Sequence, residues 1–373
     1  METKHNRVCH LTTVHRATDS RIFHKEARAL HQAGYETHIC GIHPRSETVD
    51  GIFIHEVQAF KSRWTRLIFG TIEIFIKAVK VRAHIYHIHD PELLSLVPLL
   101  RLMGKKVIFD SHEDIPSQIL IKDYLHPGIR FAMSRAASLV LKVTQKISSQ
   151  IIAATEGVAK SFGSSSKITI IKNYPDLSKV SISLLNRSYA LRKNWIVYAG
   201  LISEMRGIYD YLDAFQKIKN QTAQLVLLGR CYPEGLIDRF KQHPKADQIL
   251  YLGEVNHDEV FRTLLDSKIG LVCLHPTGTY ETSLPIKMFE YMSCGLPFIC
   301  SDFSLWRLIL NDAKAGMLVK PGSPEEIADV IDLLLENPDK GSEMGMAGRQ
   351  YVDMTANWER EGKKLVSTYR SLG

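Results

Sequence analysis

The sequence predicts an α/β protein built as two doubly wound, parallel-sheet domains in tandem. Three observations carry this. Short apolar runs alternate with amphipathic stretches along the chain, the pattern of βαβ units and a mostly parallel sheet. The alternation breaks at Asn173-Tyr174-Pro175-Asp176, which opens a polar stretch reaching Lys193. The 373 residues also exceed a single typical domain of roughly 100–200.

The elements follow in order. Residues 7–13 read as a short buried strand, followed by a polar loop and a helical pattern through Ile22, Phe23, Ala27 and Leu30. Gly34 stops that helix, because glycine takes a left-handed conformation without strain. Further strands are expected at 36–42, 85–88, 106–109, 150–154 and 168–171, with an apolar helix at 93–102 stopped by Gly104. Past the break, strands are expected at 195–198, 224–228, 249–252, 269–274, 297–300 and 316–319. Helices are expected around 209–218, 258–265 and 285–292, and from Pro324. Ser323-Pro324-Glu325-Glu326 reads as a helix start, with Ser as cap, Pro first, and Glu in the first turn. In such sheets ligands bind at the carboxyl ends of strands, and a cleft between the two domains is the expected place.

Composition excludes several classes. Apolar residues at 45% and charged residues at 23% rule out a disordered or fibrous chain. No run of about 18 uncharged apolar residues exists to span a membrane. The polar run Met1–Arg7 is not expected to act as a secretory signal. The six cysteines are scattered without a C-x-x-C pair, and Cys9, Cys40, Cys273 and Cys300 lie in apolar runs. That usage argues for a reducing compartment and against a zinc cluster or disulfide scaffold. The net charge of +7 is divided: residues 1–175 carry 24 Lys+Arg against 15 Asp+Glu, and the remainder 23 against 25. Nucleic acid is not an expected partner, because no recognition-helix or RNP-like pattern is present.

The strongest local signal is the run from Glu281 through Lys287 and Glu290 to Gly295-Leu-Pro297. A helix starting near Pro285 offers free N–H groups and a positive dipole end at Ser283 and Leu284, and Lys287 adds a full charge. An ionised Glu290 could accept both hydroxyls of a ribose. The alternative is an amphipathic helix with solvated charges. This run resembles the E-x7-E region of retaining, GT-B-fold glycosyltransferases of family 4, the nucleotide-sugar enzymes of bacterial polysaccharide and lipopolysaccharide synthesis. The resemblance implies that Glu290 holds the donor ribose. It places the family's first Glu at Thr282, with Glu281 beside it, a departure at the contact to the donor sugar. Tyr198-Ala-Gly-Leu-Ile-Ser-Glu-Met-Arg-Gly207 is similar to the family's Gly-Arg-Leu-x-x-x-Lys-Gly pattern. Gly200 and Gly207 align, Arg206 takes the Lys position facing the pyrophosphate, and Leu201 replaces the Arg. A guanidinium suits a diphosphate because it binds bidentately. Tyr251-Leu-Gly253-Glu-Val255 looks like the strand end lining the base, which puts Val255 there.

In the first half, His87-Ile-His89-Asp90-Pro91 and Asp110-Ser-His112 each end an expected strand. They resemble the family's His-x-His-Asp-Pro and Thr-x-His segments, which implies catalytic roles for His112, His89 and Asp90, with His112 beside the transferred sugar. The rival is a metal site of His87, His89, Asp110 and His112, all competent ligands. The loop Val14–Glu26 lacks the family's glycines, so Asp19 and Arg21 are expected to contact acceptor or donor through their side chains, unless they are an N-cap and a surface Arg. Residues 357–373 resemble the family's last helix, which crosses back onto the first domain. The expected division is then 1–175 for the acceptor, 176–356 for the nucleotide-sugar, and 357–373 for that helix.

Residues 61–82 hold six basic residues and one acid, interleaved with Trp64, Leu67, Ile68, Phe75 and Ile76. A basic, aromatic helix suits an anionic membrane surface, and the alternative is a buried helix with a solvated basic face. The expectation is a hexosyl-type glycosyltransferase (EC 2.4). It moves sugar from a UDP- or GDP-linked donor to a saccharide or lipid-linked acceptor, without a metal or other cofactor, in the cytoplasm or peripherally on the inner face of the membrane. The alternatives are a nucleotide-sugar epimerase or hydrolase of the same fold, and a non-catalytic sugar-binding protein.

Overall fold

A computed structural model describes residues 7–122, 125–179, 188–278 and 280–373. Residues 1–6, all but the last of the polar run Met1–Arg7, and part of the polar stretch after Asp176 lie outside the described residues. The chain forms two compact units: Met1–Asn173 with Trp358–Gly373, and Tyr174–Asn357.

The first unit holds an eight-stranded sheet: β1 (Arg7–Arg16), β2 (Glu36–Ile42), β3 (Glu47–Val49), β4 (Ile52–Val57), β5 (Ile85–Ile88), β6 (Lys106–Ser111), β7 (Gln150–Ala153) and β8 (Ile168–Ile170). Its order is β3-β4-β2-β1-β5-β6-β7-β8. Neighbours run parallel except the β3–β4 hairpin. The alternation reading missed that hairpin. Its turn is Asp50-Gly51, with φ of 50° and 79°, and an Asp-Gly pair taking positive φ twice is what a two-residue hairpin turn requires.

Side chains alternate across this sheet. Cys9, Leu11, Tyr86, Ile88, Val107, Phe109 and Ile151 pack against Ile74, Ala78, Leu96, Leu100, Leu141 and Phe162 of the helices on one face. Val8, Ile85, Ile108 and Ile152 pack on the other face against Leu30, Trp358, Leu365 and Tyr369. The helix Trp358–Arg370 therefore covers that second face.

The second unit holds a six-stranded, all-parallel sheet of β9 (Trp195–Ala199), β10 (Gln224–Leu228), β11 (Ile249–Gly253), β12 (Ile269–Val272), β13 (Phe298–Ser301) and β14 (Gly316–Val319). The order is β11-β10-β9-β12-β13-β14. Both faces are covered, so the strands read as unbroken apolar runs. Ser323 caps Pro324–Glu336 by accepting from the Glu326 N–H. The six cysteines are buried and free.

Candidate functional site

In the second unit the strand order reverses between β9 and β12, and open α/β sheets bind ligands outside the carboxyl ends of strands at such a point. Gly200 follows β9 with φ +133°, and a Cβ there would lie 2.7 Å from Lys287 Nζ. Gly207, at φ +78°, would place a Cβ 2.1 Å from the Cys273 carbonyl oxygen. Both positions therefore require glycine, one so that Lys287 can cross the strand end and the other so that the Glu204–Arg206 turn can touch β12's exit.

Two cations meet there. Lys287 Nζ donates to the Tyr198 hydroxyl at 2.8 Å and stands 4.3 Å from that ring's centroid. Arg206 lies against the Tyr198 and Tyr280 hydroxyls. Burial, and then Arg206, lower the Lys287 pKa to about 7, with Glu290 opposing. Glu290 lies three residues beyond Lys287 on the helix Ile286–Ser293 and is half-buried. The site is thus a paired cation with a carboxylate beside it, where an incoming anion relieves the mutual repulsion. A cavity of about 560 Å³ adjoins it, lined by Gly200, Leu201, Gly229, Arg230, Glu254 and Val255.

The helix starts near Pro285, as the sequence predicts: it begins at Ile286 with Pro285 as cap. Leu284 packs into the core, and the Ser283 carbonyl accepts from Trp306 Nε1 at 2.8 Å. Glu281 Oε2 accepts from the Gly278 N–H at 2.8 Å, and Thr282 Oγ1 donates to the Gly278 carbonyl at 3.3 Å. Both side chains at the family's first-Glu position are thus tied into the loop. Sequence reasoning assigned no role to Tyr198, Tyr280 or the Asp210–His275 pair (2.8 Å); His275 also donates its N–H to the Met205 carbonyl, holding the Arg206 turn.

In the first unit the reversal falls between β1 and β5, and His10, His87 and His89 gather there. His10 Nδ1 lies 2.9 Å from His89 Nε2, and His87 Nδ1 lies 2.7 Å from the Tyr369 hydroxyl. His112 Nε2 and His89 Nδ1 lie 3.5 and 3.6 Å from Asp110 Oδ2. Burial would raise the Asp110 carboxyl, yet Arg21 and then His112 hold it well below the usual range. Burial, and then Asp110, push Glu26 well above its usual value. Asp110 therefore carries the charge that Arg21 balances. Burial above all lowers His112 to about 3, so its imidazole is neutral near pH 7, although its edge is 27% exposed. His112 and His89 line a cavity of about 620 Å³ together with Arg63, Lys122 and Met133.

Asp19, Arg21 and Asp90 line the same cavity, and each also has a structural partner. Arg21 is 4% exposed, and its guanidinium forks onto Asp110 at 3.0–3.2 Å and pairs with Glu26 at 2.8 Å. Asp19 accepts from the Arg21 and Ile22 N–H groups, so it caps the helix that follows. Asp90 Oδ2 accepts from the Thr13 and Val14 N–H groups and from Thr12 Oγ1, which clamps the end of β1; Oδ1 lies 3.6 Å from His15. Among the described residues, two groups could hold a metal ion: His10, Glu26, His87 and His89, and His89, Asp110 and His112. Of the rival metal site read from the sequence, His89, Asp110 and His112 come together while His87 falls in the other group; Arg21 already balances Asp110, and Glu26 is driven toward its neutral form.

Residues 187–351 match the family model described as glycosyl transferases group 1. A phosphatidyl-myo-inositol mannosyltransferase of Mycobacterium leprae is 23% identical over 295 residues, 77% of this chain and 73% of that protein. Among solved structures, sucrose-phosphate synthase from Thermosynechococcus elongatus superposes with a TM-score of 0.76 at 16% identity, covering 99% of each chain. Anabaena Alr3699/HepE in complex with UDP-glucose gives 0.72 at 12% identity, covering 98% of this chain and 100% of that one. The fold is GT-B.

Proposed function

We propose that this chain, a glycosyltransferase by the match of its second unit, transfers a sugar from a UDP- or GDP-linked donor to a saccharide or lipid-linked acceptor with retention. The observation that carries the reading is the pairing of Arg206 with Lys287 around Gly200 at the exit of β9. Those cations take the diphosphate, Glu290 takes the ribose, and the base lies in the cavity beside Val255. As the anomeric C–O bond breaks, charge builds on the leaving phosphate, and preorganised cations stabilise it without solvent reorganisation. The sugar gains oxocarbenium character, the acceptor hydroxyl adds on the face the nucleotide leaves, and its proton passes to the departing diphosphate. Arg206 and Lys287 stand in this reading where a divalent ion would otherwise act.

The first unit supplies the acceptor pocket. His112, neutral and at the pocket wall, offers one hydrogen bond to a sugar hydroxyl, and Asp110 with Arg21 fixes its surroundings. The enzyme acts in bacterial surface polysaccharide synthesis from the cytoplasm, with residues 61–82 on an anionic membrane surface. No helix among the described residues is long and apolar enough to cross a membrane. The test is titration of UDP and GDP, followed by a screen of their hexose conjugates for acceptor-dependent turnover; nucleotide release from donor alone at the full rate would favour a hydrolase instead.

A further inference from the structure

The first unit's sheet has one helical layer whose outer side is unlike the rest of the surface. Residues 63–81, Leu96–Leu102 and Pro127–Ile147 all pack on the same face of the sheet. Their outward side carries Trp64 (74% exposed), Phe69, Leu102 (86%), Phe131, Leu139 (65%) and Val143. Pro127–Ile147 runs 21 residues and buries only Ser134, Leu141 and Thr144. A soluble α/β helix of that length normally lays a broad apolar stripe on its sheet; this one turns much of its apolar surface outward.

Charge identifies the occupant. Residues 127–147 hold four Lys+Arg and no Asp or Glu. Residues 93–106 hold three and none, and 61–82 hold six against one. A second copy of this chain would bring like charges together with apolar contacts too few to offset them, whereas an anionic bilayer satisfies both features: the cations meet lipid phosphates and the apolar side chains enter the acyl boundary. The surface also leads to the site. Arg63 and Met133, one from each flanking segment, line the cavity that holds His112, together with Lys122 and Leu125.

We infer that this whole layer, with Pro127–Ile147 as its largest element, is a docking face for an anionic bilayer that opens the His112 cavity to acceptors carried in the lipid. The inference rests on the lipid contact proposed for 61–82 and extends it to two further segments and to the acceptor's route. Co-sedimentation with phosphatidylcholine vesicles, with and without phosphatidylglycerol, tests it on the whole chain. The wild type should bind the anionic vesicles, more weakly as salt rises. The variants Phe131→Ser/Leu139→Ser/Val143→Ser and Arg135→Glu/Lys142→Glu should each lose about tenfold or more in partitioning. All five side chains lie outside the cavity, so UDP and GDP titration should be unchanged in both variants, which separates failure of docking from failure of the donor reading. Vesicle binding equal to wild type in both variants, equal binding to neutral vesicles, or a dimer that the triple variant abolishes would overturn it.

Discussion

The Tyr369 hydroxyl lies 2.7 Å from His87 Nδ1, with both side chains fully buried and the two residues 282 positions apart. The C-terminal helix is thereby tied to the histidine cluster behind His112. Tyr369→Phe leaves a buried ring nitrogen without its partner, which costs about 1–3 kcal/mol. Urea unfolding should show that loss, while UDP and GDP affinity stays unchanged because the donor site is in the other unit. Unchanged stability would mean that His87 bonds elsewhere.

Lys287 makes donor affinity depend on pH. Its pKa is lowered to about 7 in the free site, and a bound diphosphate raises it. Below about pH 7 the ammonium is already charged and affinity is flat. Between there and the bound-state value, binding takes up a proton, so affinity falls as pH rises, by up to about tenfold per unit. The same lowered pKa makes the free protein more stable with rising pH across that window, because the unfolded chain binds the proton that the folded one sheds. Lys287→Arg stays charged and should flatten the affinity profile between pH 7 and 9.

Gly207→Ala should destabilise the second unit by about 1–3 kcal/mol, through positive φ and a Cβ set against the Cys273 carbonyl. Gly200→Ala should act differently, weakening nucleotide binding because it displaces Lys287. A thermal melt and a UDP titration on both variants separate the two effects.

Dialysis against a chelator should leave turnover unchanged if Arg206 and Lys287 carry the diphosphate alone. Loss of turnover, restored by zinc, would put an ion among His89, Asp110 and His112.

Local signals made much of this legible. β2, β5, β10 and β14 cover the residues their apolar runs predict, because both faces of a parallel strand are buried. The Asp50-Gly51 hairpin was equally legible by its turn chemistry and was missed because the alternation pattern does not register a three-residue edge strand. What local pattern cannot carry is pairing across the chain. Arg21 and Asp110 are 89 residues apart, so a loop arginine expected to contact acceptor or donor gave no sign of the buried carboxylate it binds. The same holds for Asp90, named by resemblance: it lines the His112 cavity, and its Oδ2 also holds the end of β1 through contacts no local pattern carries. Gly200 and Arg206 were named by resemblance to a strand-end motif, and the structure brings both beside Lys287 at the exit of β9.

The most direct test of the account is calorimetric titration of UDP and GDP into the wild type, Arg206→Ala and Glu290→Gln. One nucleotide should bind the wild type, and each substitution should weaken it about 10- to 100-fold, the loss of one charge-assisted contact. Binding that is unaltered in both variants would contradict a donor site at the exit of β9.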